Sequence, residues 1–199
     1  NAPGSATATA DETERREGVA SARLTGGSEG SVFLRQSVSV LPSTAYTLAW
    51  YVKTEDFKIA GFTPGSIFST ACTIQRDGGK KVVHGGKIIR ANQKIWLRGS
   101  QFTGQNVKED MDWSSFYFTF ETSAATKAVE IYLCLSFSGK ASGTVWFDDV
   151  SFSAASENET AADLLEWRYL DEGPAPKFSG EDAKRGYLCF TRNWMEMVF

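Results

Sequence analysis

The 199-residue sequence predicts an all-β protein built as a single antiparallel β-sandwich. Three observations carry that prediction. Short runs alternate apolar and polar side chains with a period of two, the signature of a half-buried strand. Glycine-, proline- and serine-rich turns separate those runs. Amphipathic helical patterning is absent until the C-terminal end of the chain.

The elements follow in order. Residues 1 to 17 are rich in Ala, Thr and Ser, then charged from Asp11 to Glu17, and nothing in them alternates, so they read as a surface arm. Gly18 to Leu24 is the first strand. Val32 to Val40 alternates, with Val32, Leu34, Gln36, Val38 and Val40 on one side. Leu41-Pro42-Ser43-Thr44 turns the chain into Ala45 to Thr54, whose apolar face is Tyr46, Leu48, Trp50 and Val52. Asp56 to Gly65 holds glycines and a proline and reads as a loop. Ile67 to Gln75 is a strand closed by the turn Asp77-Gly78-Gly79. Ile88-Ile89 and Ile95-Trp96-Leu97 are short strands, and Gly99 to Asp112 is polar and loop-like. Asp112 to Glu121 puts Phe116, Phe118 and Phe120 on one face, with Tyr117 and Thr119 on the other. Val129 to Phe137 alternates as cleanly.

Gly143 to Phe152 is the last and most informative strand. Strict alternation places Trp146, Asp148, Val150 and Phe152 on one face, which we read as the core face, and Val145, Phe147, Asp149 and Ser151 on the other. Trp50 and Trp146 are therefore both expected in the core. A carboxylate in an apolar strand needs a cation, an arginine or backbone amides. Beyond residue 153 the composition changes to a polar link, a proline-rich connector and an apolar end, Gly186 to Phe199. That end is expected to pack on the sandwich or to lead to another domain.

Composition excludes several classes. The net charge of −3 gives no basic footprint for nucleic acid. No apolar run is long enough to span a bilayer. The sequence opens without the basic-then-apolar start of a signal peptide, as expected of a mature product or an excised piece. Three cysteines, Cys72, Cys134 and Cys189, do not form a disulfide framework, and Cys72 and Cys134 lie in strand-like runs as small buried hydrophobes.

Catalytic patterns are weak. The single histidine, His84, sits in a glycine turn with no nucleophile elbow near it. Glu109, Asp110 and Asp112 are the best carboxylate group, but Glu109 and Asp112 point to opposite faces of a regular strand, so we read them as a solvated loop.

Two stretches carry a resemblance. The Gln-containing strand, proline turn and Tyr-x-Leu-x-aromatic-x-Val-Lys strand over residues 32 to 54, and the Gly-to-Asp-Asp-Val strand over 143 to 152, resemble carbohydrate-binding modules of families four, nine and twenty-two. These are jelly rolls of the galactose-binding type. Gly18 to Leu24 resembles their early strand, whereas their preceding Asn-Gly-Phe-Glu-type strand has no counterpart here. The resemblance covers residues 18 to 153. It implies non-catalytic binding of a polysaccharide or oligosaccharide, an attached catalytic domain, a secreted or cell-surface location, and a structural calcium held in part by Asp148.

Sugar binding requires flat aromatic faces flanked by hydrogen-bonding side chains. Tyr51, Tyr117 and Tyr132 lie opposite the core rows of their strands. If those strands share one sheet, they line its outer surface beside Thr47, Lys53, Thr119, Glu130 and Ser136. Trp96, Trp113 and Phe102 lie near loops and offer an edge site instead. Two rival readings stand beside this one. The first is a structural module that docks on a larger enzyme. The second is a jelly-roll glycoside hydrolase or polysaccharide lyase.

Overall fold

The computed structural model describes residues 6–26, 31–82, 86–98 and 101–155. These form an antiparallel β-sandwich of jelly-roll type, with no helix among the described residues. In chain order the strands are β1 (Thr7–Asp11), β2 (Ser21–Gly26), β3 (Val32–Ser39), β4 (Ala45–Gly61), β5 (Ile67–Asp77), β6 (Lys80–Lys81), β7 (Ile88–Ala91), β8 (Trp96–Arg98), β9 (Gln101–Thr103), β10 (Met111–Glu121), β11 (Ala128–Phe137) and β12 (Lys140–Ala154). The front sheet has the order β1-β2-β12-β4-β10-β7, and the back sheet β3-β11-β5-β9-β8, with β6 paired to β5.

The predicted alternation places the core. Tyr46, Leu48, Trp50 and Val52 of β4 meet Phe118 and Phe120 of β10 and Leu133 and Leu135 of β11 in one buried cluster. Trp50 lies edge-on to Phe118 at 5.8 Å, and Tyr46 stacks on Phe152 at 5.0 Å. Aromatic rings of this size dominate core energetics, and each costs about 3–5 kcal/mol to truncate to alanine. Cys72 and Cys134 are free and buried, as expected of small hydrophobes.

Four expectations change. The N-terminal arm supplies a strand, because Thr7 to Asp11 pairs in register with Thr25 to Ser21. The predicted loop after Asp56 is still strand, since β4 runs to Gly61 and pairs there with β12. The stretch from Gly99 to Asp112 contains β9 and the start of β10. Alternation also fails in β12. Its register against β4 advances three residues from Asp148 to Ser151 while β4 moves two, from Tyr51 to Ala49. That surplus residue is a β-bulge, with Asp149 in the left-handed region at φ 46°. The core face is therefore Val145 and Phe147 before the bulge and Val150 and Phe152 after it. Trp146 and Asp148 point outward, contrary to the sequence reading.

A second irregularity lies at the other end of the same pairing. There β4 carries the surplus residue, and Asp56 has φ 53° opposite Gly143 at φ 110°. A Cβ on Gly143 would lie 2.6 Å from the Asp56 carbonyl oxygen. Gly143→Val is expected to lower stability by about 1–3 kcal/mol, read as a drop in melting temperature. Gly61→Ala, whose Cβ meets only the flexible Lys140 side chain from 3.4 Å, is expected to leave the melt nearly unchanged.

Candidate functional site

The outer face of the front sheet gathers the largest group of predicted ligand residues. Tyr51 on β4 stands opposite Ser115 on β10, and Tyr117 stands opposite Ala49. The two tyrosines are thus diagonal neighbours, roughly 7 Å apart. Ala49 also faces Ser151 of β12, and Thr47 faces Ser153 and Thr119. The floor between and below the rings is therefore made of small side chains. Thr47 and Thr119 share a hydrogen bond of 2.9 Å, and Arg90 of β7 donates to Thr119 Oγ1 at 3.1 Å. Asn92 and Gln93, in the turn after β7, accept from the Tyr117 backbone N–H at 2.8 and 3.2 Å. Ala49, Thr47, Thr119 and Ser151 are themselves buried, so what this half of the face presents is the half-buried Tyr51, Ser115, Tyr117 and Arg90.

The segment joining β1 to β2 folds over the other half of this face. Asp11 accepts from Trp146 Nε1 at 2.9 Å. Glu14 accepts from Trp113 Nε1 at 3.1 Å and pairs with Lys53 at 2.9 Å. The Arg16 guanidinium lies 3.7 Å from the centroid of the Tyr51 ring and pairs with Asp149. Trp146 is 4% exposed even though it points away from the core, and its indole N–H is held by Asp11 at the end of β1. Arg23 and Lys53 flank its ring, each 5.7 Å from the centroid. This cover is not legible from the sequence, since charged side chains in an unpatterned stretch read as solvated.

Asp148 anchors the same segment. One carboxylate oxygen accepts from the backbone N–H groups of Arg16 and Glu17 at 2.7 and 3.2 Å, and the other from that of Asp149 at 2.8 Å. Burial pushes its pKa up, against the pull of those N–H groups. Both oxygens thus face hydrogen-bond donors, whereas calcium requires six to eight oxygen ligands. No cluster of three or more His, Cys, Asp or Glu suited to a metal exists among the described residues. The surroundings of Asp148 do not fit the expected calcium, and of the alternatives open for this carboxylate the backbone amides hold it.

The remaining predicted residues are dispersed. Tyr132 is on β11 in the back sheet, so it cannot share a surface with Tyr51 and Tyr117, and Glu130 and Ser136 go with it. Its ring packs on Phe33 and Phe137 at 5.3 and 5.5 Å. Its hydroxyl donates to Glu130 at 2.7 Å, and burial followed by that bond pushes its pKa up to about 12. Trp96, 48% exposed with Lys94 over its ring at 4.3 Å, is on β8 at the edge of the back sheet. Trp113 belongs to β10 of the front sheet, so the two tryptophans do not form one edge site, and Phe102 is fully buried in the core. Asp110 accepts from the Phe57 backbone N–H at 2.8 Å, while Glu109 and Asp112 are exposed. His84, Cys189 and the apolar C-terminal end lie outside the described residues.

The carboxylates of this face set its response to acid. The Trp146 indole N–H, then the backbone and side-chain donors of Glu14 and Thr13, hold the Asp11 carboxyl well below the usual range. A depressed carboxyl contributes stability that is present above its ordinary pKa and lost as pH falls toward the folded value. Asp148, raised by burial, works in the opposite sense, and its contribution is lost as pH rises through its folded value. Asp11→Asn is therefore expected to flatten the fall in melting temperature below about pH 4. Asp148→Ala leaves three backbone N–H groups without an acceptor and is expected to cost about 1–3 kcal/mol at neutral pH. Adding calcium is expected to leave the melting temperature of the unaltered protein unchanged.

No protein-family model and no curated protein matches the chain. Among solved structures, the chain is similar to a family 4 carbohydrate-binding module at 17% identity and a TM-score of 0.43, over 74% of this chain and 78% of that one. It is similar to a family 16 carbohydrate-binding module at 15% identity and a TM-score of 0.44, over 73% and 84% of the two chains. It is also similar to a family 22 xylan-binding domain from Paenibacillus barcinonensis at 15% identity and a TM-score of 0.42, over 76% and 83%.

Proposed function

We propose that the protein binds a glycan chain without chemistry, on the outer face of its front sheet. The observation that carries this reading is the pairing of Tyr51 and Tyr117 as diagonal neighbours over a floor of Ala49, Ser151, Thr47 and Thr119. An aromatic ring offers a flat apolar surface to the C–H face of a pyranose, and the half-buried Ser115 and Arg90 beside the rings provide donors and an acceptor for its hydroxyl groups. Sheet strands hold these groups more rigidly than loops would, which limits the entropy lost when a flexible polymer is captured. Joined to a glycan-active enzyme, such a surface raises the enzyme's effective concentration at its substrate by tethering.

Affinity electrophoresis through a panel of soluble polysaccharides, including xylan and β-glucan, tests the reading. Tyr117→Ala is expected to weaken retention about five- to tenfold, the loss of roughly 1 kcal/mol of ring contact. Trp96→Ala, on the opposite sheet, is expected to leave it unchanged. Retention that survives Tyr117→Ala but is lost in Trp96→Ala overturns the assignment to the front sheet. Absence of retention on every polysaccharide, with an intact melt, overturns glycan binding itself.

A further inference from the structure

Four aromatic side chains share the front sheet's outer surface, and three of them are already occupied. Two are held by charged residues of the β1–β2 loop and the third by Asp11 at the end of β1. Asp11 takes the Trp146 indole N–H, Glu14 takes the Trp113 indole N–H, and Arg16 lies over the Tyr51 ring. Only Tyr117 has no partner from this segment among the hydrogen bonds, ion pairs and ring contacts of the described residues. The three contacts are of the kinds a bound sugar makes, namely an acceptor for an indole N–H and a group set over a phenol ring. The segment is also a hairpin loop. β1 and β2 remain paired up to Asp11 and Ser21, so residues 12–20 can swing while both strands stay in the sheet. Its fastenings to the face are polar: Asp148 on the backbone N–H groups of Arg16 and Glu17, Asp149 on the Arg16 guanidinium, and Lys53 on Glu14. Polar fastenings exchange readily for water or for the hydroxyl groups of a ligand, each at a net cost of about one hydrogen bond.

We infer that the β1–β2 loop is an internal competitor for the glycan site, and that the site continues beneath it to Tyr51 and Trp113. This rests on the reading of the face as a glycan site. With the loop down, a glycan reaches Tyr117 and the half-buried Ser115 and Arg90 beside it. With the loop raised, the glycan gains further aromatic rings, Tyr51 of β4 and Trp113 of β10. The loop therefore sets both the length of glycan that is bound and its affinity.

The test compares the full chain with two variants on soluble xylan and soluble β-glucan, by affinity electrophoresis and calorimetric titration. Arg16→Ala uncovers the Tyr51 ring and leaves the Asp11, Glu14 and Asp148 fastenings in place. It is expected to bind about two- to fivefold more tightly. Replacing residues 12–20 with an Asn-Gly turn, which suits a two-residue hairpin, is expected to tighten binding further and to lengthen the oligosaccharide needed for full affinity. Adding Tyr117→Ala to either variant is expected to weaken binding again. A melting curve for each variant confirms the fold. A loop that merely props up the structure predicts weaker binding on its removal, the opposite sign. Binding by both variants that is no tighter than that of the wild type overturns the competitor and leaves the glycan site standing. Failure of the wild type and both variants to bind either polysaccharide overturns the glycan site, and the competitor with it.

Discussion

The extra residue in β12 is the constraint on which the rest of the front sheet depends. β12 lies between β2 and β4 and must present apolar side chains inward along its whole length. Without the bulge, either Val145 and Phe147 or Val150 and Phe152 would face solvent, because one residue of register reverses every later side chain. Asp149 absorbs the irregularity in a left-handed conformation that aspartate tolerates better than most residues. The same step turns Asp148 outward, where its carboxylate collects three backbone N–H groups. Core packing and the placement of the β1–β2 loop are thus two results of one local distortion.

The front face is held together mainly by charge. Lys53 meets Glu14, Arg16 meets Asp149, and Arg23 approaches Asp11 at 3.6 Å. Exposed pairs of this kind contribute little individually. Here they act on groups partly withdrawn from water and in concert with indole and backbone donors, which sharpens their geometry. The back sheet solves the same problem differently. Its outer surface is covered by its own aromatic cluster, Phe33, Tyr132 and Phe137, with Arg76 donating to Glu130 at its border. One face of the sandwich is closed by a loop and the other by its own side chains.

Much of the fold was legible because most strands are regular. The alternation of β3, β10 and β11, and of β4 as far as Val52, names their buried residues correctly, and the Asp77-Gly78-Gly79 turn is read from composition alone. The errors gather where period two breaks. A bulge at Asp149 reversed Trp146 and Asp148, and another at Asp56 hid the second half of β4. The candidate site was half legible. Tyr51 and Tyr117 were identified as outward-facing, but the separation of Tyr132 depends on which strands share a sheet. Periodicity carries no information on strand order. The loop was invisible for a related reason, since its partners Asp148 and Trp146 lie more than a hundred residues away, and an isolated charged stretch looks the same whether water or protein surrounds it.

The strand order also dictates when the molecule can become whole. Both sheets are closed by strands that come late in the chain, β11 between β3 and β5, and β12 between β2 and β4. Until β12 arrives, the front sheet is two unconnected fragments, a β1–β2 hairpin and a β4–β10–β7 unit, each with a bare edge where β12 will lie. Until β11 arrives, β3 and β5 likewise wait apart. Pairings as distant as Val145 with Leu24 must form last, and such non-local closure is slow. A chain emerging from the ribosome therefore passes through a long interval with open sheet edges, the species most prone to pair with a neighbouring copy. Protection of those edges while synthesis continues therefore matters to this topology alongside the stability of the finished sandwich.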